Sequence, residues 1–215
     1  MSQTPLYQIT IAFDNESLQK IYHAGQSVTI VNAVSSYVAS MLASANAAVA
    51  WLAFRPLQQN LVAWDPRPQI YATVTQPAPL ATILINSITG QPAQTGALYT
   101  FAQGFFSGAS GQGLTYNAAN QMSGYNIYLG LAQQANVNGQ QVIAPQNTTP
   151  VLQGQQAMFT PQQQISIFLS TLTQSGSIVP SVPQSALTFT LKPQQQQQLL
   201  VSFNSANNTF YLASA

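Results

Sequence analysis

The sequence predicts an all-β chain: one antiparallel β-sandwich of jelly-roll type, with a single short helix near the N-terminus. Three observations carry this expectation. About eleven short runs of strand-forming residues recur at regular spacing, and many alternate apolar and polar side chains with a period of two. Turn residues separate the runs, and Asn138-Gly139 is a strong two-residue hairpin signal. The 215 residues are enough to bury a sizeable core without disulfides, and there is no Cys to form any. No internal repeat is evident, so residues 1–215 are taken as one domain, with a closed barrel as the competing architecture.

Taken in order, Leu6 to Phe13 alternate, with Tyr7, Ile9, Ile11 and Phe13 on one face. Asp14 or Asn15 can then cap about two turns of helix, in which Leu18, Ile21 and Tyr22 share a face, and Gly25 suits the left-handed position after it. Strand character resumes at Gln26–Val34, followed by an Ala- and Ser-rich excursion over residues 35–48. Residues 49–75 hold both tryptophans, both arginines and one of three carboxylates, and they read as a central hairpin with a third strand at Gln69–Thr75. Leu80–Ile88 is almost continuously apolar and is expected as a central strand covered on both faces. Ala97–Ala102 is another strand, and 103–124 is a long irregular segment.

Further on, Tyr125–Gln134 and Val151–Phe159 read as strands. Residues 165–171 alternate Ile165, Ile167 and Leu169, which favours strand over the helix that Thr160-Pro161 could begin. Shorter strands follow at Ile178-Val179 and Leu187–Leu191. Leu199–Phe203 and Thr209–Ala213 form a closing hairpin around SANN.

Charge is the compositional anomaly. Only 3% of residues are Asp, Glu, Lys or Arg, against about a quarter in ordinary globular proteins. No charged residue or His occurs from Pro68 to Leu191. Amides take their place, with 31 Gln and 14 Asn, which hydrogen-bond without ionising. A mean hydropathy of +0.09 is too low for a multi-span membrane protein, and Ser and Asn dilute the uncharged run Val28–Phe54. Four basic residues cannot neutralise a nucleic-acid backbone. The segment MSQTPLYQITIAFD lacks a basic and apolar leader, so synthesis and first residence are expected in the cytoplasm.

Catalysis has few means here. The lone His23 lacks a second His to share a metal, no GxSxG surrounds a serine, and no GK[ST] follows the glycine-rich SGASGQG. No catalytic residue, cofactor or metal is therefore expected. The candidate ligand or partner contacts are Trp51, Arg55, Trp64, Asp65 and Arg67, with Phe105, Phe106 and Tyr116 of the glycine-rich segment. Trp51 and Trp64 are expected to anchor the central hairpin, and Arg55, Asp65 and Arg67 to fix its turns. The leading expectation is a non-enzymatic, self-associating structural protein, because a net charge of +1 leaves almost no repulsion between copies. A lectin-like glycan-binding module is the alternative, and a pore-forming toxin the third.

Overall fold

Strands dominate the computed structural model, which describes residues 7–38, 48–171, 173–193 and 195–213. Strand β1 (Tyr7–Ala12) leads into α1 (Asn15–His23) and then into the long β2 (Gln26–Val38). Short strands follow: β3 (Ala48–Ala50), β4 (Leu52–Phe54), β5 (Gln59–Trp64), β6 (Gln69–Thr73) and β7 (Ser87–Ile88). The middle of the chain holds β8 (Leu98–Ala102), β9 (Phe105–Ala109), β10 (Tyr116–Asn120), β11 (Ile127–Val137), β12 (Gln140–Pro145) and β13 (Thr149–Val151). The last part supplies β14 (Gln156–Thr171), β15 (Ser177–Val179), β16 (Leu187–Thr190), β17 (Gln197–Asn204) and β18 (Thr209–Leu212).

These strands make a nine-stranded sheet, a seven-stranded sheet and a two-stranded one. The larger sheet runs from β18 through β17, β1 and β5 to β11. Strands β5 and β6 lie end to end along one edge of β11, since Trp64 faces Ala135 and Gln69 faces Ala132. Along the other edge lie β12 and β13. The smaller sheet is built on β2 and β14, which pair from one end to the other with a bulge between Pro161 and Ile165.

Two large sheets face each other, as a sandwich-like architecture requires, but they are mixed. Strands β1 and β17 pair in parallel, and so do β8 and β10, which corrects the purely antiparallel jelly-roll expectation. The cause is connectivity: β17 reaches β1 by crossing from β16 in the other sheet, and a crossover can deliver a parallel neighbour where a tight hairpin cannot. Neither large sheet closes on itself, so the barrel alternative is corrected too.

Four local expectations fail. Residues 49–75 form no hairpin, because β3 pairs with β15, β4 with β2, and β5 with β1 and β11. Leu80–Ile88 is not a central strand: only Ser87–Ile88 pair with β6, and Leu80 and Leu84 are exposed. Residues 103–124 are not irregular throughout, because they contain β9, hairpinned onto β8, and β10, beside β8. Val151–Phe159 is also interrupted, at 152–155. Of the excursion expected over 35–48, residues 35–38 complete β2, and 39–47 lie outside the described residues.

Other elements stand as expected. Asp14 caps α1 by accepting from the Ser17 N–H, and Gly25 adopts φ 62° after the helix. Asn138 and Gly139, both at positive φ, join β11 to β12.

The core has two main clusters, with two smaller ones beside them. Ile9, Ile11 and Val62 of the larger sheet meet Val28, Ile30, Ile165 and Ile167 of the smaller one, with Trp51 and Trp64 among them. A second cluster joins Ile70, Leu129 and Leu131 to Val34, Phe101 and Phe159. Between them the inward positions of both sheets turn polar. Asn32 follows Ile30 on β2, Gln133 follows Leu131 on β11, and both are buried. Asn32 Nδ2 donates to Gln133 Oε1 across the sheets at 3.4 Å, and Gln146 Nε2 donates to the same oxygen at 2.5 Å. A buried amide left unpaired costs about 1–3 kcal/mol, so the bonds of this amide belt favour the observed alignment of the two sheets, even though Gln146 Oε1 has no partner of its own among the described residues.

Candidate functional site

The kink between β5 and β6 shapes the larger sheet's outer face. Four residues, 65–68, stand opposite only two, 133 and 134, on β11. Pro66 and Pro68 cannot donate to a ladder, so this is where the strand must break. Asp65 turns its carbonyl inward, where it accepts from Gln133 Nε2 at 2.5 Å, and its side chain outward to Arg67. One residue therefore ties the buried amide belt to the surface.

Beside the kink lies an open cleft of about 700 Å³. Its floor carries Gln8 of β1, Leu61 and Ala63 of β5, Gln134 and Asn136 of β11, and Gln141 of β12. The pairings Gln8 with Ala63, Ala63 with Asn136 and Asn136 with Gln141 place these four in one cross-strand row. Arg67, Asp65 and the turn at 90–92 form the wall. Such a surface offers amide donors and acceptors to an uncharged, hydrogen-bonding partner, with nothing that ionises along the floor.

Asp65 and Arg67 pair bidentately, with Nε to Oδ1 at 2.9 Å and Nη2 to Oδ2 at 2.7 Å. That hydrogen bonding from Arg67 holds the Asp65 carboxyl below its ordinary range, against a smaller opposing effect of burial, and raises the Arg67 guanidinium. At the helix start, the Ser17 main-chain N–H, helped by the Ser17 hydroxyl, does the same to Asp14. A carboxylate depressed in the folded state stabilises the fold above its unfolded pKa and ceases to as pH falls through its folded value. The expected urea midpoint is therefore level between about pH 5 and pH 9 and declines below about pH 4; urea titrations at stepped pH measure it.

The residues singled out from sequence do not form one site. Trp51 is fully buried, 5.3 Å from Trp64 in an edge-on arrangement, and its Nε1 donates to the Gln133 main-chain oxygen at 3.1 Å. Trp64 lines the cleft from below and is only 3% exposed. Arg55 sits elsewhere, its guanidinium carbon 4.1 Å from the centre of the Tyr22 ring, while the Tyr22 hydroxyl donates to the Pro56 carbonyl. Phe106 packs on Phe101 at 5.0 Å, and Tyr116, whose phenol burial pushes up, joins the second core cluster. Phe105 alone of the three is exposed, on strand β9. Sequence reasoning missed Gln8, Gln134, Asn136 and Gln141, because nothing distinguishes these amides from the others until strand pairing aligns them.

Among the described residues, no three His, Cys, Asp or Glu gather to hold a metal, and no helix is long and apolar enough to cross a membrane. Comparison of the chain with protein-family models, curated proteins and solved structures returns no match, so a functional reading rests on its own chemistry.

Proposed function

We propose that this chain is a non-enzymatic, self-associating structural protein of the coat, filament, inclusion or storage kind. One observation carries the reading: none of the 18 described strands contains a charged residue. Charges lie only on α1 and its cap, in the turns at Arg55, Asp65 and Arg67, and at Lys192. Soluble monomers ordinarily guard their sheet edges with lysine, other charges or covering elements. Here β12 and β18 of the larger sheet and β9 and β16 of the smaller one carry none, and Ile143, Tyr211, Leu212 and Phe105 are exposed on them. Neutral edges with open hydrogen-bonding groups accept strands from neighbouring molecules.

The cleft's amide chemistry would also suit sugar hydroxyls, but Trp64, the indole on which a sugar ring could stack, lies beneath the floor. Self-association draws on the edges and needs no such platform. Sedimentation over a hundredfold range of concentration is expected to show species growing beyond the 23.0 kDa monomer. The same distribution should hold from low to high salt, because screening has little to act on. A strictly monomeric boundary at the highest concentration overturns the reading.

A further inference from the structure

We infer that the first contact in this assembly is the edge of β12, which pairs antiparallel with β12 of a second copy about a two-fold axis at Val142. The inference rests on the self-association reading and names its surface. Strand β12 is the longest of the uncharged edge strands just named, with six residues, and among the described residues no strand pairs with its outer edge.

The backbone settles which groups face outward. The Asn138-Gly139 turn makes Val137 and Gln140 the hydrogen-bonded pair that closes a two-residue hairpin. Alternate residues bond the same neighbour, so Gln140, Val142 and Ala144 spend their N–H and C=O on β11. The Gln146 N–H donating to the Leu131 carbonyl at 2.8 Å continues that alternation. Gln141, Ile143 and Pro145 therefore turn their backbone groups away from β11. Proline is tolerated there because the missing N–H would have faced outward.

Register then follows from donor count. Centred on Val142, each Gln141 stands opposite Ile143 of the second copy, and these two pairs exchange four main-chain hydrogen bonds. Pro145 falls opposite Gly139 in the turn, where no ladder bond is needed. A centre at Ile143 would set Gln141 against Pro145 and strand its carbonyl, since proline has no N–H to give. The side chains agree: Gln141 and the exposed Ile143 meet on the outer face, and Val142, packed against the core, meets Val142 below. The amide row of Gln8, Asn136 and Gln141 would then run on into the second molecule across one continuous sheet.

Ile143→Pro tests this directly. It removes an outward N–H while leaving every β12 bond to β11 in place, so the monomer should keep its circular dichroism spectrum and urea midpoint. Two of the four bonds are lost per dimer, and the dissociation constant from sedimentation is expected to rise about a hundredfold or more. Gln141→Lys, which sets a cation at the same junction without touching the backbone, is expected to weaken it likewise and to make the loss smaller at high salt. If the wild-type chain associates and both variants associate as tightly, the β12 contact is wrong while self-association stands. If the wild-type chain is monomeric throughout, both readings fall.

Discussion

Replacing Trp51 by alanine is expected to cost about 3–5 kcal/mol of folding free energy, the range for emptying a buried aromatic site. Trp51 sits between β3 and β4 with no exposed surface. Its ring meets Trp64 edge-on, its cluster draws from both large sheets, and its indole N–H reaches the main chain of Gln133, the hub of the amide belt. A cavity there opens against side chains fixed on strands of both large sheets, which cannot all move in to fill it. The urea midpoint should fall steeply with an unchanged slope, which marks lost stability rather than an altered unfolded state. Trp51→Phe keeps most of the volume and should cost distinctly less. If alanine costs under about 1 kcal/mol, Trp51 is not a keystone of the core.

That Trp51 mattered was legible in the sequence; where it sat was not. Rarity marked it, but a strand of three residues cannot announce its partner, and β3, β4 and β5 find theirs in different sheets. Local chemistry was read well wherever a conformation admits few residues. Asp14 capped α1, Gly25 closed it, and Asn138-Gly139 turned the hairpin. The Gln103-Gly104 turn between β8 and β9 has the same two positive φ angles, yet glutamine is no turn signal, so that hairpin passed for a loop. Leu80–Ile88 misled for another reason. An apolar run reports burial without reporting hydrogen-bond partners, and here Ile83 packs over Tyr71 and Val49 while Leu80 and Leu84 face outward.

Composition concealed the cleft and the amide belt more than pattern did. With 31 Gln and 14 Asn, polar positions along the strands mostly look alike. Gln133 is buried and Gln134 is exposed, and no local rule separates them; the difference is which face of β11 each occupies. The Asp65-Pro66-Arg67-Pro68 turn was visible, and its ion pair formed as the spacing allowed. The inward turn of the Asp65 carbonyl to Gln133 depends on a strand almost seventy residues away.

The second large effect is expected at Gly130, where alanine should cost about 3 kcal/mol or more, at or beyond the upper end for overpacking. A Cβ built there would overlap the Asn147 carbonyl oxygen and come within 2.6 Å of Cε1 of Tyr71. Rotamer changes cannot relieve a collision with backbone, so the 146–149 segment would have to lift away. That segment holds much together. The Tyr71 hydroxyl donates to the Asn147 carbonyl at 2.7 Å, the Leu131 N–H donates to Asn147 Oδ1 at 2.8 Å, and Gln146 feeds the amide belt. Displacing it should loosen the sheets' alignment as well as one contact. Tyr71→Phe, which removes only the phenol's hydrogen bond, is expected to cost about 1 kcal/mol. Gly90→Ala, where an added Cβ meets nothing within 4 Å, should be near neutral. Chemical denaturation of the three variants gives the ranking. Should Gly130→Ala prove as mild as Gly90→Ala, the 146–149 segment moves freely and does not govern how the two sheets meet.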